Sequence, residues 1–122
     1  INREGQKAKP RPWIAQAPLI VVGCGIPENS FAYMGGKRSS IEVDLAIALD
    51  HLTLWALELG IGSCWIGAFD EQKVKEILAI PADVQVVALV TLGYPAEENA
   101  FHELPAEKRK TQEEIIVWNQ YK

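Results

Sequence analysis

The chain has 122 residues, a formal net charge of −4 at pH 7 and a hydrophobic fraction of 48%. This length suits one domain with a core of its own, and the acidic balance argues against nucleic acid as the main partner. No uncharged apolar run reaches the ~18 residues of a membrane span, and no secretory signal is recognisable. The composition therefore favours a single cytoplasmic domain over residues 1–122, without a membrane span.

Residues 1–17 differ in composition from the rest of the chain. They are polar, rich in Lys, Arg and Pro, and show no hydrophobic periodicity. We interpret this segment as a linker that leads into the first strand. Because the first residue is Ile1 and not Met, we expect the chain to be part of a longer protein.

The first regular element is a short apolar run from Pro18 to Gly25. A continuous run of this kind, bounded by Pro and Gly, predicts a strand that is buried on both faces. A segment with loop composition follows up to residue 36. Its apolar side chains, Phe31, Tyr33 and Met34, either anchor the loop or form a flap over a ligand, and the sequence leaves both roles open.

A long helix is predicted next. The segment Ser39–Glu42 matches a capping box at its start, and Gly60 suits the position just after its end at Leu59. The apolar residues of this helix cover nearly its whole circumference, which predicts burial on all sides. That is a heavy demand on a chain of this size, so we predict a second subunit that covers one side.

The glycine-rich stretch GIGSCWIGAFDEQKVKEIL follows the helix. It predicts a tight turn, a short extended piece and a second helix that is capped by Asp70 and stopped by Pro81. Gly67 and Ala68 have small side chains, which let a planar ligand lie against the backbone. From the residues alone, we favour a tight turn fitted to the core, and the ledge for a planar ligand is the alternative.

Several known chemistries do not fit this stretch. It lacks the third glycine of a dinucleotide fingerprint, the Gly-Lys-Ser/Thr of a phosphate loop and a Cys-x-x-Cys pair. A nucleophilic Cys64 requires a nearby base, and nothing places His51 or His102 there. Two Cys and two His residues, widely scattered, do not predict a zinc site. We therefore predict no metal site and no catalytic side chain, and we expect Cys24 and Cys64 to be buried free thiols.

The last part of the chain contains the strongest predicted strand, Val84 to Gly93, which is β-branched and mostly apolar. A basic cluster of Lys108, Arg109 and Lys110 comes later, and Thr111 with Glu114 forms a second candidate capping box. Such a cluster is either a solvated surface or a site for an anion.

The run DLAIALDHLTLWALELGIGSCWIGAFDEQKVKEILAIPADVQVVALVTLGYPAE resembles the C-terminal half of the nitroreductase family, and EKRKTQEEIIVWNQY is similar to its closing segment. With APLIVVGCG, the resemblance covers most of the chain after Trp13. It implies an α+β fold with three layers (α/β/α), a mixed and mainly antiparallel sheet and a long central helix. It also implies a homodimer that holds FMN at its interface. In such an enzyme NAD(P)H reduces the flavin, and a nitroaromatic, a quinone or a similar small-molecule acceptor then reoxidises it.

The resemblance also implies site residues. The segment Trp65, Ile66, Gly67 and Ala68 matches the part of the family that passes along the flavin ring, with Gly67 as the backbone N–H donor near its N5 atom. Packing of Trp65 in the core remains the alternative. The cluster Lys108–Lys110 matches the phosphate-binding basic residues, with Arg109 as the best match.

The sequence departs from the family at its start. Family members begin with helices that carry an Arg-Ser-x-Arg-like motif for the flavin phosphate, and nothing in residues 1–18 matches it. We therefore interpret the chain as the C-terminal portion of an FMN-dependent oxidoreductase. The alternative is a non-catalytic flavin-binding or structural relative, or a fragment that is inactive alone.

Overall fold

The computed structural model describes residues 12–97, 100 and 105–121. Three strands and three helices follow the order β1 (Leu19–Gly25), α1 (Ile41–Glu58), β2 (Gly62–Ile66), α2 (Glu71–Leu78), β3 (Gln85–Gly93) and α3 (Gln112–Ile115). Of the predicted linker over 1–17, the part up to residue 11 lies outside the described residues, and Pro12–Gln16 forms a 3-10 turn.

The strands form one sheet in the order β1-β3-β2, and both pairings are antiparallel. The strand with the strongest sequence signal, β3, therefore takes the central position, where its side chains are covered on both faces. Parallel pairs, which a mixed sheet requires, do not occur among the described strands. The predicted α+β class is confirmed.

A bulge in β3 changes which of its side chains face α1 and which face α2. Gly23 pairs with Ala88, but the next residue of β1, Cys24, pairs with Val86, so Val87 is the extra residue of the bulge. Ala88 and Val90 consequently pack with Leu49 of α1. Residues on the opposite face form a second cluster with α2, namely Ile66, Val86 and Leu89 with Val74 and Phe69. The predicted three layers are therefore α1, the sheet and α2.

The strand β1 is less buried than the sequence predicts. Only Gly23 is fully buried along it, and Leu19 and Ile20 are exposed. The expectation of burial on both faces is wrong because β1 lies at an edge of the described sheet, where fewer neighbours cover it. Its glycines still have a packing role, since a Cβ at Gly23 would lie 2.8 Å from Cδ1 of Leu49. The small residue lets α1 approach the strand closely.

The helix α1 runs close to its predicted bounds and ends as predicted, with Gly60 at a φ of +72°. Its start differs from the expected capping box. The hydroxyl of Ser39 accepts from the N–H of Ile41, at 3.2 Å, while Ser40 donates to the Asp44 carboxylate, at 2.6 Å. The reciprocal box is absent because Ser40 has a helical φ and ψ, and its hydroxyl bonds to the Asp44 side chain and to no backbone N–H of the first turn.

The other two predicted caps are present. Asp70 accepts a hydrogen bond from the backbone N–H of Lys73, at 3.2 Å, and so caps α2. In α3, the Glu114 carboxylate accepts from the backbone N–H of Thr111, at 2.7 Å. These caps depend only on residues a few positions apart, which explains why the sequence predicts them well.

Burial of α1 on all sides is not what the single chain shows. Ile41, Leu49 and Ala56 are buried against the sheet. Large apolar side chains elsewhere on the helix remain exposed, namely Val43, Ile47, Leu54, Trp55 and Leu57. Within one chain the sheet and its loops cover only one side of the helix, so burial of the other side by a second subunit stays a prediction.

The two cysteines are exposed, so the expectation that they are buried is wrong. They lie on the two edge strands, Cys24 opposite Val86 and Cys64 opposite Thr91. Strands lie about 4.8 Å apart, so two strand spacings already exceed the roughly 7 Å that a disulfide spans. Desolvation raises the pKa of the Cys24 thiol, and Lys75 offsets this only in part.

Among the described residues, no helix is long and apolar enough to cross a membrane. The same residues contain no group of three or more His, Cys, Asp or Glu side chains arranged to hold a metal ion.

Candidate functional site

The end of β2 forms an open ledge, which we define as residues 65–68. Ile66 is 2% exposed and packs into the cluster beneath α2. Because side chains alternate along a strand, Trp65 points to the other face, where it is 42% exposed. A Cβ placed on Gly67 would meet no atom within 4 Å. The ledge therefore combines a buried anchor, an exposed indole and a backbone that another molecule can approach.

The ledge is fixed on both sides by the core. Before it, β2 pairs with β3 through to the Ile66–Leu89 pair. After it, Phe69 packs into the same apolar cluster and Asp70 caps α2. Four residues held between two packed elements have little freedom, so the ledge has a defined shape before any ligand binds.

Glu71 ties the start of α2 to the central strand. Its carboxylate accepts from the backbone N–H of Val86, at 3.0 Å, and forms an ion pair with Lys75, at 3.1 Å. The hydrogen bond from Val86, followed by that from Lys75, lowers the pKa of Glu71. This carboxylate is absent from the sequence-based site, since only the folded chain brings residue 71 to residue 86.

The exposed side of α1 forms an apolar surface with a polar margin. A groove of about 520 Å³ is lined by His51, Leu54, Trp55 and Glu58. His51 thus lies on the surface of α1 that the sequence assigns to a second subunit. The other histidine, His102, lies outside the described residues, so the structure does not test its relation to Cys64.

The basic cluster lies in a segment that is exposed throughout. Every residue from Pro105 to Tyr121 is exposed, including Trp118 and Tyr121. Lys108 ends a 3-10 turn and Arg109 follows it. The backbone hydrogen bonds of this segment are local, such as those from Lys108 to Pro105 and from Arg109 to Ala106. Within the described residues, no hydrogen bond or ion pair joins the cluster to the ledge.

The loop between β1 and α1 is closed at its ends and contains the apolar residues for which the sequence leaves two roles open. Phe31 and Tyr33 form an edge-to-face pair with ring centres 6.4 Å apart, and both are exposed. The serines at the two ends of the loop are hydrogen-bonded to each other, Ser30 to Ser39. Because both rings are exposed, they are not buried anchors of the loop, and a flap over a ligand stays a prediction.

Comparison with known proteins gives a consistent result. The sequence model of the Nitroreductase family matches residues 2–94. An NADH dehydrogenase of Thermus thermophilus is 34% identical over 94 residues, which is 75% of this chain and 43% of the relative. The chain thus spans less than half the length of that curated relative.

Solved structures share the fold. A nitroreductase family protein of Clostridium difficile 630 matches with a TM-score of 0.76 and 26% identity, over 88% of this chain and 63% of that one. An FMN-dependent nitroreductase of Clostridium difficile R20291 matches with a TM-score of 0.66 and 24% identity, over 86% of this chain and 59% of that one.

Proposed function

The chain belongs to the nitroreductase family, and from this premise we propose that it is part of an FMN-dependent oxidoreductase. The proposed reaction moves a hydride from NAD(P)H, through FMN, to a small acceptor such as a nitroaromatic or a quinone. The name of the Thermus relative supports a nicotinamide dinucleotide as donor, and that of the Clostridium neighbour supports FMN.

The observation that carries the proposal is the open ledge. Gly67 leaves space where a side chain would stand, and Ala68 adds only a methyl group, so the residues present fit the edge of a planar ring. We assign Gly67 as the residue whose backbone N–H donates to that edge and Trp65 with Ile66 as the residues that hold the ledge in place. FMN, when bound, would supply the hydride chemistry, while the protein orients the ring and excludes water.

The phosphate of FMN requires positive charge, which the ledge lacks. We assign this role to Lys108, Arg109 and Lys110, because Arg grips a phosphate with two parallel hydrogen bonds. The ribityl chain of FMN separates its phosphate from its ring, so the cluster and the ledge need not touch each other. We further propose a homodimer with FMN at its interface, because a second copy of the chain would also cover the exposed apolar side of α1.

Titration of FMN into the purified protein tests the assignments. Arg109→Ala should weaken FMN affinity by about 1.5–3 kcal/mol if its charged hydrogen bonds reach the phosphate. Lys73→Ala is a suitable control, because Lys73 is also exposed and its side chain makes no described bond. If the wild type, Arg109→Ala and Lys73→Ala bind FMN with equal affinity, Arg109 is not part of the FMN site.

A second candidate is a flavin-binding relative that has no turnover. It is favoured by the exposure of the basic cluster, which makes no bond to the ledge among the described residues, and by the lack of an assigned catalytic side chain. The two candidates differ in one observation. Bound flavin that keeps its visible absorbance after anaerobic addition of both NADH and NADPH indicates the non-catalytic protein.

A further inference from the structure

The loop from Ser30 to Ser40 is a defined structural unit rather than a simple connection. The backbone N–H of Ser40 donates to the carbonyl of Phe31, at 2.8 Å, and the N–H of Phe31 donates to the hydroxyl of Ser40, at 3.2 Å. Together with the Ser30–Ser39 bond, these contacts hold the two ends of the loop side by side. Compact surface loops with closed ends frequently have a function.

The tip of this loop is a narrow turn. Met34 pairs with Arg38, with a hydrogen bond of 2.9 Å from the N–H of Met34 to the carbonyl of Arg38. Gly35 and Gly36 make the reversal at φ values of +60° and +73°, which side chains rarely tolerate. The turn therefore places Lys37 and Arg38 next to each other at a fixed position.

A cavity lies against this turn. Its volume is about 460 Å³, and its lining residues are Met34, Gly35, Lys37, Arg38 and Val43. That volume lies within the range of small-molecule sites, roughly 300–1,000 Å³. The cavity thus has an apolar wall from Met34 and Val43 and two cationic side chains.

Both cations are free to bind a ligand. In the described part of the chain, the side chains of Lys37 and Arg38 make no ion pair or hydrogen bond. The carboxylates nearest in sequence are in the first turn of α1, and Asp44 already accepts from Ser40, while Glu42 makes no bond to either cation. Adjacent cations that no carboxylate neutralises favour an anionic ligand.

We propose that Lys37 and Arg38 form a subsite for a phosphate group of the nicotinamide dinucleotide. A planar guanidinium binds phosphate oxygens in pairs, and an ammonium adds a point charge. This inference rests on the proposed function, in which the dinucleotide is the phosphate-bearing substrate and the cluster Lys108–Lys110 is assigned to FMN. The subsite gives the protein a grip on the dinucleotide at a part that does not react.

Steady-state kinetics of the FMN-loaded protein test the subsite. The variants are Lys37→Ala, Arg38→Ala and their combination, and Lys73→Ala is the single-charge control. We expect a rise in KM of about tenfold for Arg38→Ala, given the usual strength of a charged hydrogen bond, a larger rise for the double variant, and little change in kcat. The effect should shrink as salt is added, since the site is exposed. The control should change KM less than twofold.

A comparison of KM for NADPH with KM for NADH shows which phosphate of the dinucleotide the subsite binds. A rise in KM for NADPH alone assigns the subsite to the 2′-phosphate, and a rise for both NADPH and NADH assigns it to the diphosphate. An unchanged KM for both, in an active enzyme, overturns the subsite and leaves the proposed function standing. A loss of FMN affinity in the double variant with unchanged KM also overturns it, because the cations would then serve the flavin.

A binding measurement gives a readout that does not depend on turnover. We expect 2′,5′-ADP or 5′-ADP, titrated into the protein, to shift the NMR amide signals of Gly35 and Gly36, and inorganic phosphate to do so more weakly. The double variant should lose these shifts. If the compounds bind at the loop but the protein oxidises neither NADPH nor NADH, the subsite is supported and the proposed oxidoreductase function is contradicted. No shift with any of the three compounds would overturn the subsite.

Discussion

The two sides of α1 are similarly apolar in sequence but differ in the folded chain. On the side that meets the sheet, Leu49 and Ala56 are 5% and 4% exposed. On the other side, Leu54 and Trp55 are 59% and 69% exposed. The same contrast holds between β3, which is buried along most of its length, and the segment from Pro105 to Tyr121, which is exposed throughout. Hydrophobic residues thus indicate that a surface becomes covered, but they do not indicate what covers it.

This difference has a physical origin. One side of α1 buries its apolar surface within the chain, and each Å² removed from water contributes roughly 25 cal/mol. The other side gains that free energy only when a second molecule covers it. An exposed apolar patch on a folded protein typically marks an interaction surface, and a second copy of the chain is the partner that we propose.

The largest expected effect is on the covered side. Leu49→Ala should lower the free energy of unfolding by about 2–5 kcal/mol, because it removes a buried side chain and leaves a cavity. Chemical denaturation followed by circular dichroism measures this loss. The value should not depend on protein concentration when measured for the monomer. A loss below about 1 kcal/mol would mean that this side does not hold the core.

An intermediate effect is expected on the open side. Trp55→Ala should weaken self-association by about 2 kcal/mol, as is typical of a central aromatic residue in an interface, while the unfolding free energy of the monomer changes little. Analytical ultracentrifugation over a range of concentrations measures the dissociation constant. Lys73→Ala on α2 is the control. A wild-type protein that remains monomeric at high concentration would contradict the proposed dimer. A different partner would then have to cover the exposed side of α1.

The smallest effect concerns a polar contact between α2 and the central strand β3, on the face of the sheet opposite α1. Because Val86 and Lys75 lower the pKa of Glu71, the stability from this contact is present above the unfolded-state carboxyl pKa. It should be lost as pH falls through the lower folded-state pKa. Glu71→Gln should therefore flatten the acid limb of a stability-versus-pH curve. Glu113→Gln, at an exposed position in α3, should leave that limb unchanged, and identical limbs for both variants would contradict a role for Glu71.

The parts of the fold that the sequence predicts correctly depend on local interactions. The end of α1 at Gly60 and the cap at Asp70 involve residues a few positions apart, so their patterns suffice. The exposure of Cys24 and Cys64 depends on which strands lie at the edges of the sheet. Sequence patterns contain no direct information on that arrangement, and the cysteine prediction was wrong for this reason.

In the candidate site, too, the local features were predictable from the sequence and the long-range ones were not. The ledge is a single continuous segment, so its composition and position after a strand are readable from the sequence. Its relation to Arg109 joins segments about 40 residues apart and involves an exposed part of the chain, so it stays a prediction. The closed loop with Lys37 and Arg38 was missed as a site, because only the folded turn brings both cations to a cavity.

The central claim is that this protein holds FMN as a redox cofactor, and reduction of the bound flavin tests it most directly. FMN is added to the purified protein, free FMN is removed, and NADPH or NADH is added without oxygen while the visible absorbance is followed. We expect the flavin to stay with the protein, to lose its visible absorbance after the dinucleotide is added, and to regain it when a quinone is added. A protein that retains no FMN, or retains FMN that neither dinucleotide reduces, would contradict the account.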